Sequence, residues 1–297
     1  MIIRGYHAVT RKQVVMSQKT KGLFLIYEED LPMKKLMKRL GLAAAGILMV
    51  CGLAACGKQA SSTQPQLVSK GTLTVGLEGT YAPYSYRQNG KLTGFEVELA
   101  QQLAKKMGYK VKFVPTKWDS LIAGVGAKKF DLAINDIAMT PERKKAYRFS
   151  DPYIYSKSAL IMKKDDQAIK QVGDIKGQKI AAATGTANAD NVKKFGGQNV
   201  SSTDFATAMS LVREGRVAAA MNSKEAFLYY QKSTGASDLK YQEIPTSKIK
   251  EQPIGILMGK NNAGLQKKVN KALAELRKDG TLTRLSEKYF DGDITKP

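Results

Sequence analysis

Asp131-Leu-Ala-Ile-Asn-Asp-Ile-Ala-Met-Thr-Pro-Glu-Arg143 is the stretch on which the reading of the whole chain turns. Its first half is an apolar run of strand length. Its second half is a helix start, with Thr140 suited to the N-cap and Pro141 to the first helical position, where a missing N–H costs nothing. Backbone donors from Ala138 to Glu142 then converge at a point that favours an anion. Arg143 adds a planar fork matched to a carboxylate. Asp136, at the strand's end, offers the opposite charge, so one strand-to-helix turn presents both poles needed by a zwitterion such as an α-amino acid. A first-turn arginine facing solvent would account for this turn equally well, so the choice rests on the surrounding chain.

Outward from this turn the pattern alternates between periods of two and 3.6. A strand is expected over residues 73–77, a helix over 94–107 with Phe95, Leu99, Leu103 and Met107 on one face, and a strand over 111–114. Trp118, Leu121, Ile122 and Val125 line a further helix that leads into the strand at 131–134. After Asp151-Pro152 the alternation restarts with strands at 159–162, 179–183 and 217–221 and helices at 186–195, 205–214 and 223–233. A strand at 253–258 and helices at 263–278 and 282–289 close the chain and should pack back on the first unit. The class is α/β, with sheets covered by helices and ligands expected beyond the carboxyl ends of the strands. Gly185-Thr186, at a strand-to-helix junction, makes a second anion-friendly backbone nest, or else a plain helix cap.

The N-terminal part reads as a leader. Met33-Lys-Lys-Leu-Met-Lys-Arg39 is a basic segment, residues 40–53 are a short apolar run, and Leu53-Ala-Ala-Cys56 ends it. About 14 apolar residues fall short of the roughly 20 that a bilayer span needs. Residues 1–32 are expected to be an upstream extension, 33–55 a signal peptide, and 56–69, rich in Ser, Thr, Gln and Pro, a flexible tether. His7, the sole histidine, and both cysteines, Cys51 and Cys56, lie ahead of the folded part, so no metal site, cofactor, disulfide or thiol nucleophile is expected there. Residues 56–297 carry 39 basic and 23 acidic side chains, a formal +16. The lysines are scattered over helix faces without interleaved aromatics, which argues against nucleic acid and for attraction to an anionic cell envelope.

A resemblance then covers about residues 70–295. Val75-Gly-Leu-Glu-Gly-Thr-Tyr-Ala-Pro-Tyr-Ser-Tyr86, Leu92-Thr-Gly-Phe-Glu-Val-Glu-Leu-Ala100, Lys117-Trp-Asp-Ser-Leu121, the 131–143 segment, Lys278-Asp-Gly-Thr-Leu282 and Glu287-Lys-Tyr-Phe290 follow in order. Together they resemble the polar amino-acid solute-binding proteins of ABC importers, bacterial extracellular solute-binding proteins of family 3, and look most like the cystine-binding branch. Leu53-Ala-Ala-Cys56 resembles a lipoprotein signal, which implies Cys56 as a lipidated first residue and an extracytoplasmic site on the cell membrane. The resemblance implies a two-lobed periplasmic-binding-protein-like clamp of type II. Each lobe would be a mainly parallel sheet flanked by helices, with lobe 1 from 68–154 and 253–297, lobe 2 from 155–252, and two crossover strands. The implied partners are a small amino acid and a membrane permease, with the binding protein acting as a monomer.

Carried over residue by residue, the resemblance gives Arg143 the ligand's α-carboxylate, assisted by backbone N–H groups at Ala138 and, beside Gly185, at Thr186 or Ala187. Asp136 falls where the family offers a main-chain carbonyl to the α-ammonium. Tyr81 and Trp118 fall on the side-chain pocket, with Glu78, Tyr84 and Asn135 as neighbours. Where the family commonly has an aspartate for the ammonium, this chain has Asn222-Ser223. Glu78, ahead of Asp136, is the expected replacement, because a buried ammonium needs a counter-charge and the Ser223 dipole repays only part of it. Dehydratases of the cyclohexadienyl and arogenate type share this fold and would use Glu78 or Asp136 as a general acid; a ligand sensor would use the same cleft.

Overall fold

Strand β1 (Thr72–Leu77) is buried from Leu73 to Leu77 and sits between parallel neighbours. In the computed structural model, which describes residues 64–297, these are β4 (Lys110–Pro115) and β5 (Leu132–Ala133). The leader, Cys56 and the tether as far as residue 63 lie outside the described residues. A hairpin of β2 (Tyr86–Gln88) and β3 (Lys91–Thr93) follows β1. Helix α1 (Phe95–Met107) then turns Phe95, Leu99, Leu103 and Met107 inward. Helix α2 (Trp118–Gly126) buries Leu121 and Val125, and Phe130 fills the space that two glycines leave for it. A Cβ added at Gly76 or Gly124 would come within 2.5 Å of that ring.

After β5 come α3 (Pro141–Ala146) and β6 (Tyr147–Phe149), and the chain crosses to the second lobe through β7 (Ile154–Ser156). That lobe holds β8 (Ser158–Lys163), β9 (Lys179–Ala182), β10 (Gln198–Ser201), β11 (Ala219–Ser223) and β12 (Leu239–Glu243). Its helices are α4 (Ala187–Lys194), α5 (Phe205–Arg213) and α6 (Lys224–Thr234). The return passes through β13 (Gln252–Ile254), antiparallel to β7, into β14 (Leu257–Gly259). Helices α7 (Ala263–Lys278) and α8 (Thr281–Phe290) then pack on α1.

The two five-stranded sheets repeat one topology, β4-β1-β5-β14-β6 and β10-β9-β11-β8-β12. In each, the last two pairings are antiparallel, so four strands share a direction and one opposes them. The opposed strands, β14 and β8, are those that enter a lobe directly from a crossover. Arriving from the cleft end, they run down a sheet whose other members run up. The carboxyl ends of β1, β5, β9 and β11 all meet at the cleft. Buried apolar side chains form one continuous cluster from Leu73 and Leu99 through Tyr84, Tyr153 and Ile254 to Phe227 and Phe205, spanning both lobes.

Two expectations need correction. The single strand over 253–258 is two strands, broken at Gly255, where an added Cβ would run into Met139 and Phe149. The chain leaves the crossover pairing there, and Ile256 N–H is taken by the Ser150 hydroxyl at 2.9 Å. The tether, expected to stay free to residue 69, is docked from Gln64 onward. Gln66 exchanges two bonds with the Asn262 amide, Val68 N–H donates to Asp131 Oδ1 at 2.6 Å, and a Cβ at Gly264 would collide with the Gln64–Pro65 backbone.

Candidate functional site

Thr140 caps α3 as expected: its hydroxyl accepts from Arg143 N–H at 3.3 Å, and Pro141 occupies the first helical position. This cap aims the Arg143 side chain into the cleft between the lobes. One guanidinium N–H donates to Ala138 O at 2.8 Å and another crosses to Gly185 O at 2.9 Å, while the guanidinium carbon lies 5.4 Å from the Trp118 ring centre. Arg143 forms no ion pair with any described residue. Burial lowers its pKa from the ordinary arginine value, because the charged form has lost hydration.

Backbone donors converge on the same place. Ala138 pairs with Ile254 through an isolated bridge in which the bonds run from the flanking residues, leaving its own N–H unspent. Across the cleft, Thr186 N–H is used by Ala183 O and Ala189 N–H by the Thr186 hydroxyl. The first free donors of α4 are therefore Ala187 and Asn188. Arg143, Ala138, Ala187 and Asn188 all line the cleft, from both lobes, and could donate to one anion.

Half-buried acids line the same cleft. Glu78, at the end of β1, exchanges bonds with Asn135, whose amide donates to Glu78 Oε2 at 2.6 Å and accepts from Glu78 N–H at 2.9 Å. Burial raises the Glu78 pKa against that bond. Asp136 follows β5 with a positive φ of 48°, a conformation that Asp tolerates better than most residues. Its Oδ1 is sealed from solvent and has no hydrogen-bond partner among the described residues. Desolvation first, then the nearby Glu96 and Glu225 carboxylates, push its pKa well above the usual range. Burial therefore makes a charge on Asp136 costlier than on a solvent-exposed aspartate. Asp136 lines the cleft, whereas the choice of Glu78 left that side chain free to point away.

The lobes are closed on one another. Tyr81 O–H donates to Asn222 Oδ1 at 2.7 Å, the Tyr84 and Ser223 hydroxyls pair at 2.8 Å, and Trp118 Nε1–H donates to Thr184 O at 3.1 Å. Between them lies a cleft that is partly enclosed and partly open to solvent. Glu78, Tyr81, Trp118, Asn135, Asp136, Ala138, Arg143, Thr186, Ala187 and Ser223 line it. Tyr84 and Gly185 do not: Tyr84 is fully buried behind Tyr81, stacked on it at 4.9 Å, and Gly185 contributes its carbonyl to Arg143 from the rim. Sequence reasoning missed Ser156, Ser158, Asn188, Asp204 and Gln252 on the wall. Of these, only Asp204 carried a legible signal, as the N-cap of α5.

Two α/β lobes hinged by paired crossover strands and clamped over a small polar cleft define a binding protein of the clamp type. The chain belongs to the bacterial extracellular solute-binding proteins, family 3, whose pattern matches residues 73–292. It is 38% identical over 263 residues to the L-cystine-binding protein TcyJ of Escherichia coli strain K12, a match covering 86% of this chain and 96% of that one. It is similar to the structure of an ancestral arginine-binding protein bound to glutamine, with TM-score 0.69, 36% identity, and coverage of 75% and 99%. The L-cystine solute receptor of Neisseria gonorrhoeae in its unliganded open conformation has the same 36% identity and coverage of 77% and 97%, but TM-score 0.54. The weaker superposition at equal identity accords with lobes that here are closed. These relatives are binding proteins, not enzymes.

Proposed function

We propose that this protein captures a polar α-amino acid, cystine first among candidates, between its lobes and delivers it to the membrane permease of an ABC importer. It would do so as a monomer, tethered outside the cytoplasm by lipid on Cys56. The observation that carries the reading is the carboxylate nest: Arg143 and Ala138 N–H from one lobe face Ala187 and Asn188 N–H from the other. A ligand carboxylate bound there is held only when the lobes are closed, so binding and closure are one equilibrium. Glu78 and Asp136 line the same cleft, so a zwitterion bound there meets both charges.

A thermal-shift panel of amino acids tests this. A ligand that binds only the folded, closed clamp stabilises by RT ln(1 + [L]/Kd), about 2.7 kcal/mol at a hundredfold excess over Kd. Cystine or another polar amino acid should stand out, and a flat panel would refute the reading. Intact mass of membrane-extracted protein tests the anchor, with diacylglycerol on Cys56 as the expected result.

A further inference from the structure

The starts of β1, β4, β5 and β6 and the finish of β14 gather at the end of the first lobe that lies away from the cleft. Lys70 precedes β1, Lys110 opens β4 opposite Thr72, Lys128 and Lys129 precede β5, Lys144 and Lys145 lead from α3 into β6, and Lys260 follows β14. These lysines are scattered in sequence, and the topology brings them to one end. All are exposed, Lys260 Nζ donates to Lys144 O at 3.0 Å, and none of them forms an ion pair with any described residue. Asp131, the acid in these loops, is buried and spent on Val68 and Thr74.

The matching end of the second lobe is different. Arg213 pairs with Asp238 at 2.6 Å and Arg216 with Glu214 at 3.6 Å, while Lys163 and Lys164 are followed at once by Asp165 and Asp166. Bases there have acids beside them.

The chain enters the fold at the unpaired basic end. Gln66 is held by Asn262, Val68 by Asp131, and the Gln64–Pro65 backbone lies against Gly264. Between Cys56 and Gln64 stand only residues 57–63, a stretch that spans under about 30 Å even when fully extended.

We propose that this end of the first lobe is a docking face for an anionic phospholipid bilayer, holding the tethered protein with its first lobe on the membrane and its second lobe raised into solvent. This docking rests on the anchor proposed at Cys56 and not on which ligand the cleft takes. A lipid on Cys56 fixes how far the protein can stray but not which side it turns to the surface. Charge selects the side: each lysine near an anionic leaflet adds to the attraction, which fades within a Debye length of about 8 Å at physiological salt. The short tether keeps the basic end within a few such lengths, whereas the second lobe presents paired charges and stands farther from the anchor. Opening the clamp then moves the second lobe through solvent rather than against the membrane.

Lysine acetylation read by mass spectrometry on the intact lipidated chain tests the face. The protein is reconstituted on vesicles of phosphatidylglycerol and, separately, of phosphatidylcholine. Lys70, Lys110, Lys129 and Lys260 should label at least about threefold more slowly on phosphatidylglycerol, Lys163 and Lys164 should label alike on both, and the difference should vanish at 1 M salt, where the Debye length is about 3 Å. Lys128→Glu combined with Lys129→Glu should remove the protection of Lys70, Lys110 and Lys260 while leaving amino-acid affinity unchanged. Equal labelling on the two vesicles, or protection of Lys163 and Lys164 instead, would overturn the docking face and leave the anchor standing. Protection by soluble polyphosphate but not by vesicles would overturn it in favour of a free polyanion. A chain extracted without lipid refutes the anchor alone; vesicles are then mixed with it at low salt, where protection of the same lysines upholds the face and uniform labelling overturns it.

Discussion

The Tyr81 hydroxyl of one lobe donates to Asn222 Oδ1 of the other at 2.7 Å, so a wall residue of the cleft is also part of its latch. Tyr84 repeats the arrangement one layer deeper with Ser223. In this protein the groups that surround a ligand and the groups that close the lobes are nearly the same set, which is why affinity and closure cannot be tuned separately.

Tyr81→Phe therefore removes a closing bond while keeping the ring. A neutral hydrogen bond contributes about 0.5–1.5 kcal/mol net. The expected result is a twofold to tenfold weaker Kd by calorimetry with little change in the melting temperature of the protein alone. An unchanged Kd would mean that the latch resides elsewhere.

Arg143→Lys should cost more. One ammonium cannot reach Ala138 O and Gly185 O while also gripping a carboxylate in two parallel bonds. A loss on the order of 2–4 kcal/mol in binding is expected, with the fold retained. Near-parent affinity in that variant would place the carboxylate away from the nest.

Gly76→Ala addresses the scaffold beneath the site. The added methyl would meet the Phe130 ring at 2.5 Å, and Gly124 leaves that ring nowhere to go. Overpacking of this kind costs about 1–3 kcal/mol. Chemical denaturation should show the loss, and a variant as stable as the parent would mean that Phe130 can move aside.

Glu96 links stability to pH. It is fully buried, accepts from Asp136 N–H at 2.6 Å and from the Tyr153 hydroxyl, and its Oε2 has no partner among the described residues. Burial raises its pKa from 4.5 to about 7. The native state then binds more protons than the unfolded chain between those values, so this contribution is complete below about pH 4.5 and is lost as pH rises towards 7. At 1.36 kcal/mol per unit the effect is on the order of 3 kcal/mol. Glu96→Gln should flatten the decline in unfolding free energy between pH 5 and 8, and a parallel curve for parent and variant would contradict the assignment.

Much of this was legible from residue order. The Thr140-Pro141 helix start, the inward face of α1 and the Gly185-Thr186 junction follow from local chemistry, and the structure has them where that chemistry puts them. The hairpin β2–β3 and the strand β10 were not, because they are short edges whose polar side chains face water and leave no periodic signal. Ser156 and Gln252 reach the cleft only because the crossover strands pass beneath it, a fact of topology that no local motif encodes. Asp136 was legible as a residue of the site but not as a carboxyl with a raised pKa. That shift comes first from burial and then from Glu96 and Glu225, which are distant in sequence.

Isothermal titration of the purified protein with L-cystine, followed by the other polar amino acids, measures the central claim directly. The account predicts one site per chain for at least one of them, with affinity abolished or severely weakened by Arg143→Lys. Absence of binding across the whole set, or a ligand whose affinity is indifferent to Arg143, would contradict it.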